Sequence, residues 1–163
     1  MSKANSVFAK TWTGFVWFVF LPNTIYILTD VTHLFEDWSK VDALFKLILV
    51  IQYSLFSMFG IISFVISVYF FQKIMKKQSK TAAFAAICIL NFMVGFAVIL
   101  GGIERASSWH IFTDPIRVAN DVLDVLSSKE MLMLSIGIGL LANVIYFFFV
   151  ETVATWGKKF TKK

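Results

Sequence analysis

Four blocks of this chain run for eighteen residues or more with almost no charge, and no other feature restricts the fold as strongly. They are Thr11 to Leu28, Leu44 to Phe71 with a single early Lys46, Thr81 to Ile103, and Met131 to Val150. At about 1.5 Å of rise per residue, even the shortest helix of this kind crosses most of a roughly 30 Å hydrocarbon core. The 58% hydrophobic content lies well above the 45–50% usual for soluble domains. A transmembrane barrel needs strands of about ten residues that alternate polar and apolar, whereas these blocks are continuously apolar and only two prolines interrupt the chain. The expectation is an all-α integral membrane protein with four transmembrane helices, forming one domain over residues 1–163.

Taken in order, Lys3 and Lys10 precede the first block, an arrangement shared with signal peptides. No small-x-small cleavage site follows the apolar run, so a retained helix over 11–28 is expected. Pro22 lacks an amide proton and its ring crowds the carbonyl of Phe18, which predicts a kink or break there, with Asn23 satisfying the freed backbone. Ser39 and Asp42 read as a capping box entering the second helix, 44–71. Along it, Ser54, Ser57, Gly60, Ser63 and Ser67 form a stripe of small residues that lets a neighbouring helix approach; a polar permeation path is the alternative. The third helix, 81–103, carries Cys88, Asn91 and Gly95 on one side, and Asn91 must face the bundle to find a partner. Asp114 and Pro115 cap a short amphipathic helix over 115–126. Its Ile116, Ala119, Val122, Leu123 and Leu126 share one face, while Arg117, Asn120, Asp121 and Asp124 share the other. Such a helix lies on the membrane or across the mouth of the bundle. Ser127 and Glu130 then start the fourth helix, 131–150, on which Ser135, Gly139 and Asn143 stack.

Basic residues cluster at the amino terminus (Lys3, Lys10), the central connection (Lys73, Lys76, Lys77, Lys80) and the tail (Lys158, Lys159, Lys162, Lys163). Four spans place all three clusters on one side, and basic loops favour the cytoplasm. Both termini are therefore expected to be cytoplasmic, in a bacterial cytoplasmic membrane. The two outward connections, 29–43 and 104–130, then hold both histidines and every acid except Glu151. The net charge of +5 sits at the ends of apolar blocks, not on a soluble basic domain, so lipid headgroups and not nucleic acid are the expected partners. The lone Cys88 excludes an intrachain disulfide and paired-thiol chemistry.

The outward polar residues define the candidate site. Tyr26, Asp30 and His33 share one side if helix resumes beyond Pro22, and Glu104, Arg105, Trp109, His110 and Asp114 fall within eleven residues of one another. With Asn23 they can bind one ligand together. Asp30, His33, His110 and Asp114 are the types that hold a divalent metal, although no HExxH-like spacing supports this, and Trp109 also suits an interfacial anchor. No cofactor is indicated. Asp30 and Arg105 can instead pair and lock two helices. Ser107 and Ser108 beside His110 lack a nucleophile elbow, and Gly101-Gly102 lacks the Lys-Ser or Lys-Thr of a phosphate loop.

The stretch LPNTIYILTDVTHL, Leu21 to Leu34, resembles the PNAPYxxTDxxHL signature of an uncharacterised bacterial membrane-protein family, classed as a domain of unknown function. Ala97 to Pro115 is similar to that family's GIYLGRFLRWNSWDxxxxP stretch, sharing Leu100, Gly101, Arg105, Ser108, Trp109 and Pro115. Ser67 and Tyr69 fit its intervening Ser-Leu-Tyr. Gly102, Ala106, Ser107 and His110 stand where the family pattern has arginine, tryptophan, asparagine and aspartate. The chain is also shorter before the first motif, where relatives carry further hydrophobic helices. The resemblance implies a polytopic membrane protein and supplies no reaction. Three functions are open: binding or transport of an ion or small solute, alone as a homo-oligomer or within a larger complex; an outer-leaflet enzyme with His33 or His110 as base and Asp30 orienting it; and a structural or assembly subunit.

Overall fold

The computed structural model describes residues 3–29, 34–35, 38–75, 79–102 and 110–160. Helices α1 (Lys3–Phe20) and α2 (Pro22–Thr29) make up the first span, followed by α3 (Ala43–Met75) and α4 (Lys80–Gly102). A short α5 (His110–Thr113) and the amphipathic α6 (Pro115–Ser127) lead into α7 (Lys129–Phe160). No strand occurs among the described residues. Four segments are long and apolar enough to cross a membrane: Phe8–Thr29, Ala43–Met75, Lys80–Gly102 and Lys129–Trp156. Phe59, Phe84, Val144 and Phe148 are each more than half exposed on these segments, a surface that is stable against lipid and not against water. The chain is an all-α membrane protein.

The helices begin where backbone donors find caps. Ser79 Oγ accepts from the Ala82 amide at 3.4 Å ahead of α4, and Asp114 Oδ1 accepts from the Arg117 amide at 3.2 Å ahead of α6, with Pro115 in the first turn. Two expected caps shift. Helix α3 starts beside Asp42, whose carbonyl accepts from the Lys46 amide at 2.9 Å, and Ser39 lies in the turn before it. Helix α7 is capped by Ser128, whose Oγ accepts from the Met131 amide at 3.4 Å, because Ser127 still belongs to α6. Both long helices also run past their apolar blocks, α3 to Met75 and α7 to Phe160. No proline or glycine lies between Phe71 and Met75, and α7 passes Gly157, so helix continues into the basic flank.

Antiparallel neighbours touch where side chains are smallest. A methyl group on Gly95 of α4 would lie 2.5 Å from the Ser135 carbonyl and closer still to the Gly139 amide of α7. A methyl on Gly60 of α3 would meet the Thr24 carbonyl at 2.5 Å, so at Gly60 the small-residue stripe receives a neighbouring helix, while Ser54 is exposed and Ser67 borders open space. Just beyond the Gly95 crossing, Asn91 Nδ2 donates to Asn143 Oδ1 at 3.1 Å, and Asn143 Nδ2 donates to the Gly139 carbonyl at 2.9 Å. Asn91 is fully buried, and its role is to join two helices. Leu21, Ile25, Phe64, Val65, Val68, Ile87 and Tyr146 fill the space between the four spans.

Helix α6 leaves most of both its faces exposed. Asp121 and Val125 are its buried residues, whereas Ile116, Leu123 and Leu126 of the apolar face are at least half exposed. Lipid tails are as apolar as these side chains, so their exposure suits a helix lying on the membrane, and Arg117, Asn120 and Asp124 of the other face are exposed as well.

Candidate functional site

The end of the bundle beyond Pro22 is shaped by the break in the first span. The Leu21 amide still donates to the Trp17 carbonyl at 2.9 Å, but Pro22 offers no donor to Phe18 and the helix stops. It restarts around the Leu21 carbonyl, which accepts from the Thr24 amide at 3.1 Å and from Thr24 Oγ1 at 2.7 Å. Thr24, not Asn23, thus makes the side-chain hydrogen bond at the break, to the Leu21 carbonyl and not to the Phe18 carbonyl that Pro22 leaves without its donor. A threonine hydroxyl lies close enough to its own backbone to reach three residues back, and Asn23 points to the exposed side.

Beyond the break, α2 is held flush on α3. Leu21 and Ile25 are buried against Phe64, Val65 and Val68, and Gly60 lets the Thr24 backbone approach. This seating turns Tyr26 toward α4, where its ring would lie 3.4 Å from a methyl group on Gly102. Thr29 Oγ1 donates to the Tyr26 carbonyl at 2.6 Å and finishes α2. The last turns of α2 and α4 therefore stand side by side. From Thr29 the chain passes into Asp30 and His33, and from Gly102 toward Glu104, Arg105 and Trp109. Those five candidate residues lie outside the described residues.

His110 opens α5 and is half-buried, and its carbonyl accepts from the Asp114 amide at 2.8 Å. Asp114 is exposed, with one carboxylate oxygen engaged as the cap of α6. Phe112 meets Phe15 of α1 edge to face, with ring centroids 6.2 Å apart, so α5 is tied back to the first span. Among the described residues no three His, Cys, Asp or Glu side chains are placed to hold a metal ion; Asp30 and His33 were outside that comparison.

Asp121 was expected on a solvated face and is instead 9% exposed. Its Oδ2 lies 4.0 Å from Arg117 Nε and has no hydrogen bond among the described residues. Sequence reasoning also missed Thr24 as the hydrogen-bonding residue at the break and Asn143 as the partner of Asn91. Asn143 sits on the same stripe as Gly139, and the stripe was the available signal.

The family described as "Protein of unknown function (DUF1361)" matches residues 1–145. No curated protein and no solved structure matches the chain.

Proposed function

The chain belongs to the DUF1361 family of proteins of unknown function, and from that starting point we propose that it binds an ion or small polar solute at its outward mouth. In this reading it serves transport as a homo-oligomer or as a subunit of a larger membrane complex. The observation that carries the reading is the Tyr26 ring against Gly102, which sets the two helix ends that lead into the polar connections beside each other. A helix break such as the turn at Leu21 is tolerated at membrane depth where protein buries it, and broken helices commonly border solute sites. Asn23, Tyr26, Asp30, His33, Glu104, Arg105, Trp109, His110 and Asp114 are the proposed ligand-binding set, with Asp30, His33, His110 and Asp114 the proposed metal ligands should the solute be a divalent cation. Both termini are proposed to face the cytoplasm of a bacterial cell, as the basic clusters require.

A pore through one chain is disfavoured, because Phe64, Ile87, Val94 and Tyr146 are completely or almost completely buried between the spans. Passage would have to run between chains. No observation favours enzymatic chemistry over binding.

Native mass spectrometry of the full chain, extracted with its lipids and measured with and without chelator, tests the proposal. The expected result is an oligomer or complex holding a small bound mass that Asp30→Asn loses while the assembly persists. Assembly with no bound mass in the unaltered chain, or a bound mass indifferent to Asp30→Asn, overturns it. If Asp30→Asn instead destroys folding and no mass is ever bound, the helix-locking role of Asp30 and Arg105 stands in its place.

A further inference from the structure

Below the break, α1 leaves the close company of α3 and α4, and the divergence opens a groove of about 1180 Å³. Small-molecule pockets are typically about 300–1,000 Å³ and largely enclosed. This one is larger and open along one side to the surface that faces lipid. Thr13, Gly14, Trp17 and Phe18 form the α1 wall, Ser67, Phe70, Phe71 and Ile74 the α3 wall, and Ile89, Leu90 and Met93 of α4 the floor. Trp17 stacks on Phe71 with centroids 5.7 Å apart and bridges the two walls. The groove closes outward where Leu21 and Ile25 become buried and Gly60 admits α2.

Its length limits the occupant. The α1 wall runs from Ala9 to Phe18, nine residue steps or roughly 14 Å. That is about half of a roughly 30 Å hydrocarbon core, the depth of one leaflet. A helix from another protein would need a seam across both leaflets. Acyl chains of a single leaflet need only this half.

Charge limits it further. The open end of the groove lies on the side where α1 starts, α3 ends and α4 starts, and each contributes a lysine. Lys10 lines the groove itself. Lys73 holds its Nζ 5.9 Å from the ring centroid of Phe70, a wall residue, and 4.7 Å from that of Tyr69. Lys80 is exposed at the first residue of α4. Among the described residues no acid lies on these turns. An apolar trough one leaflet deep, ending among lysines at headgroup level, complements a lipid with apolar tails and a negative phosphate head.

We infer that the groove between α1, α3 and α4 is a binding site for an anionic glycerophospholipid of the leaflet on the side of the amino terminus. Tails lie against Trp17, Phe70, Phe71 and Met93, and the phosphate meets Lys10 and Lys73. The site is separate from the outward mouth and survives the failure of that reading.

The test uses the full chain in nanodiscs made from equal parts phosphatidylglycerol and phosphatidylcholine, with retained lipid counted by native mass spectrometry. Phosphatidylglycerol should be retained preferentially. Lys10→Gln and Lys73→Gln should each reduce that preference by about fivefold, the effect of one lysine at a membrane surface. Gly14→Phe places a ring in the groove, and nothing lies within 4 Å of its first carbon. It should abolish retention of either lipid. Gly137→Phe on α7 has the same open surroundings away from the groove and should leave retention unchanged. Equal retention of the two lipids, retention unaffected by Gly14→Phe, or equal loss in both glycine variants overturns the inference. So does a dimer that Gly14→Phe dissociates with no change in lipid, because a second copy would then be the occupant.

Discussion

Asn91 and Gly95 sit one helical turn apart on α4 and hold it to α7 in different ways. The Asn91 side chain is fully buried and bonded to Asn143, and interhelical hydrogen bonds of this kind contribute about 0.6 to 2 kcal/mol in membranes. Asn91→Ala should lower stability by that amount in reversible unfolding from detergent micelles. Gly95 works by absence, because a methyl group there would strike the backbone of Ser135 and Gly139, which cannot rotate away. Gly95→Ala should destabilise by about 1–3 kcal/mol, as overpacking does. Gly137→Ala, in open space, should instead gain up to about 1 kcal/mol from helix propensity, and the same unfolding experiment separates the two. At this scale the stripes of small residues were legible in the sequence, because close approach in lipid requires them. Which polar residue pairs with which was not. Asn91 needed a partner, but nothing local distinguishes Asn143 from Ser135 until α4 and α7 are set in register. Asn23 is the nearest amide side chain to the Phe18 carbonyl that Pro22 frees, whereas the side-chain bond at the break runs from Thr24 to the Leu21 carbonyl, within reach of a hydroxyl along its own turn.

Pro22 shapes a whole element. It ends α1, allows α2 to seat on Gly60 and leaves α1 to diverge, so one missing amide lies behind both the seating of α2 beside α4 and the groove beside α1. Pro22→Ala restores a donor for the Phe18 carbonyl and should straighten the span. Spin labels at positions 9 and 74, which face each other across the groove, should then report a shorter and narrower distance distribution in a Cys88→Ala background. An unchanged distribution would mean that packing of Trp17 on Phe71, and not the proline, sets the divergence. The break could be foreseen because proline acts through covalent chemistry that no environment overrides. The facing of α6 could not. Its apolar stripe is plain in the sequence, but the stripe suits the membrane surface and the mouth of the bundle alike. In lipid, Asp121 turns to the bundle and Ile116 and Leu123 turn out. Helix ends shifted by one residue at Ser128 and by a few at Met75 because neighbouring serines and lysines cap almost equally well.

For the molecule as a whole, long uncharged blocks made four spans unavoidable, and the order of basic and acidic flanks leaves one topology to propose. A membrane-impermeant thiol reagent applied to intact cells should label a cysteine placed at Asp114 and not one at Lys158, with Cys88 replaced; the reverse pattern would invert the orientation. The outward site was legible as a set of residue types and no further. The residues that would define it depend on how two polar connections meet, which no periodicity encodes. What the fold contributes is the pairing of their starting points, Tyr26 beside Gly102. The central claim is therefore that the two connections act as one site, and a double-mutant cycle on Asp30 and Arg105 tests it most directly. Unfolding of the unaltered chain, Asp30→Asn, Arg105→Gln and the double variant should give a coupling of about 0.5–3 kcal/mol, as residues in one charged network do. Strictly additive effects would show that the two connections do not meet, and would contradict a shared outward site.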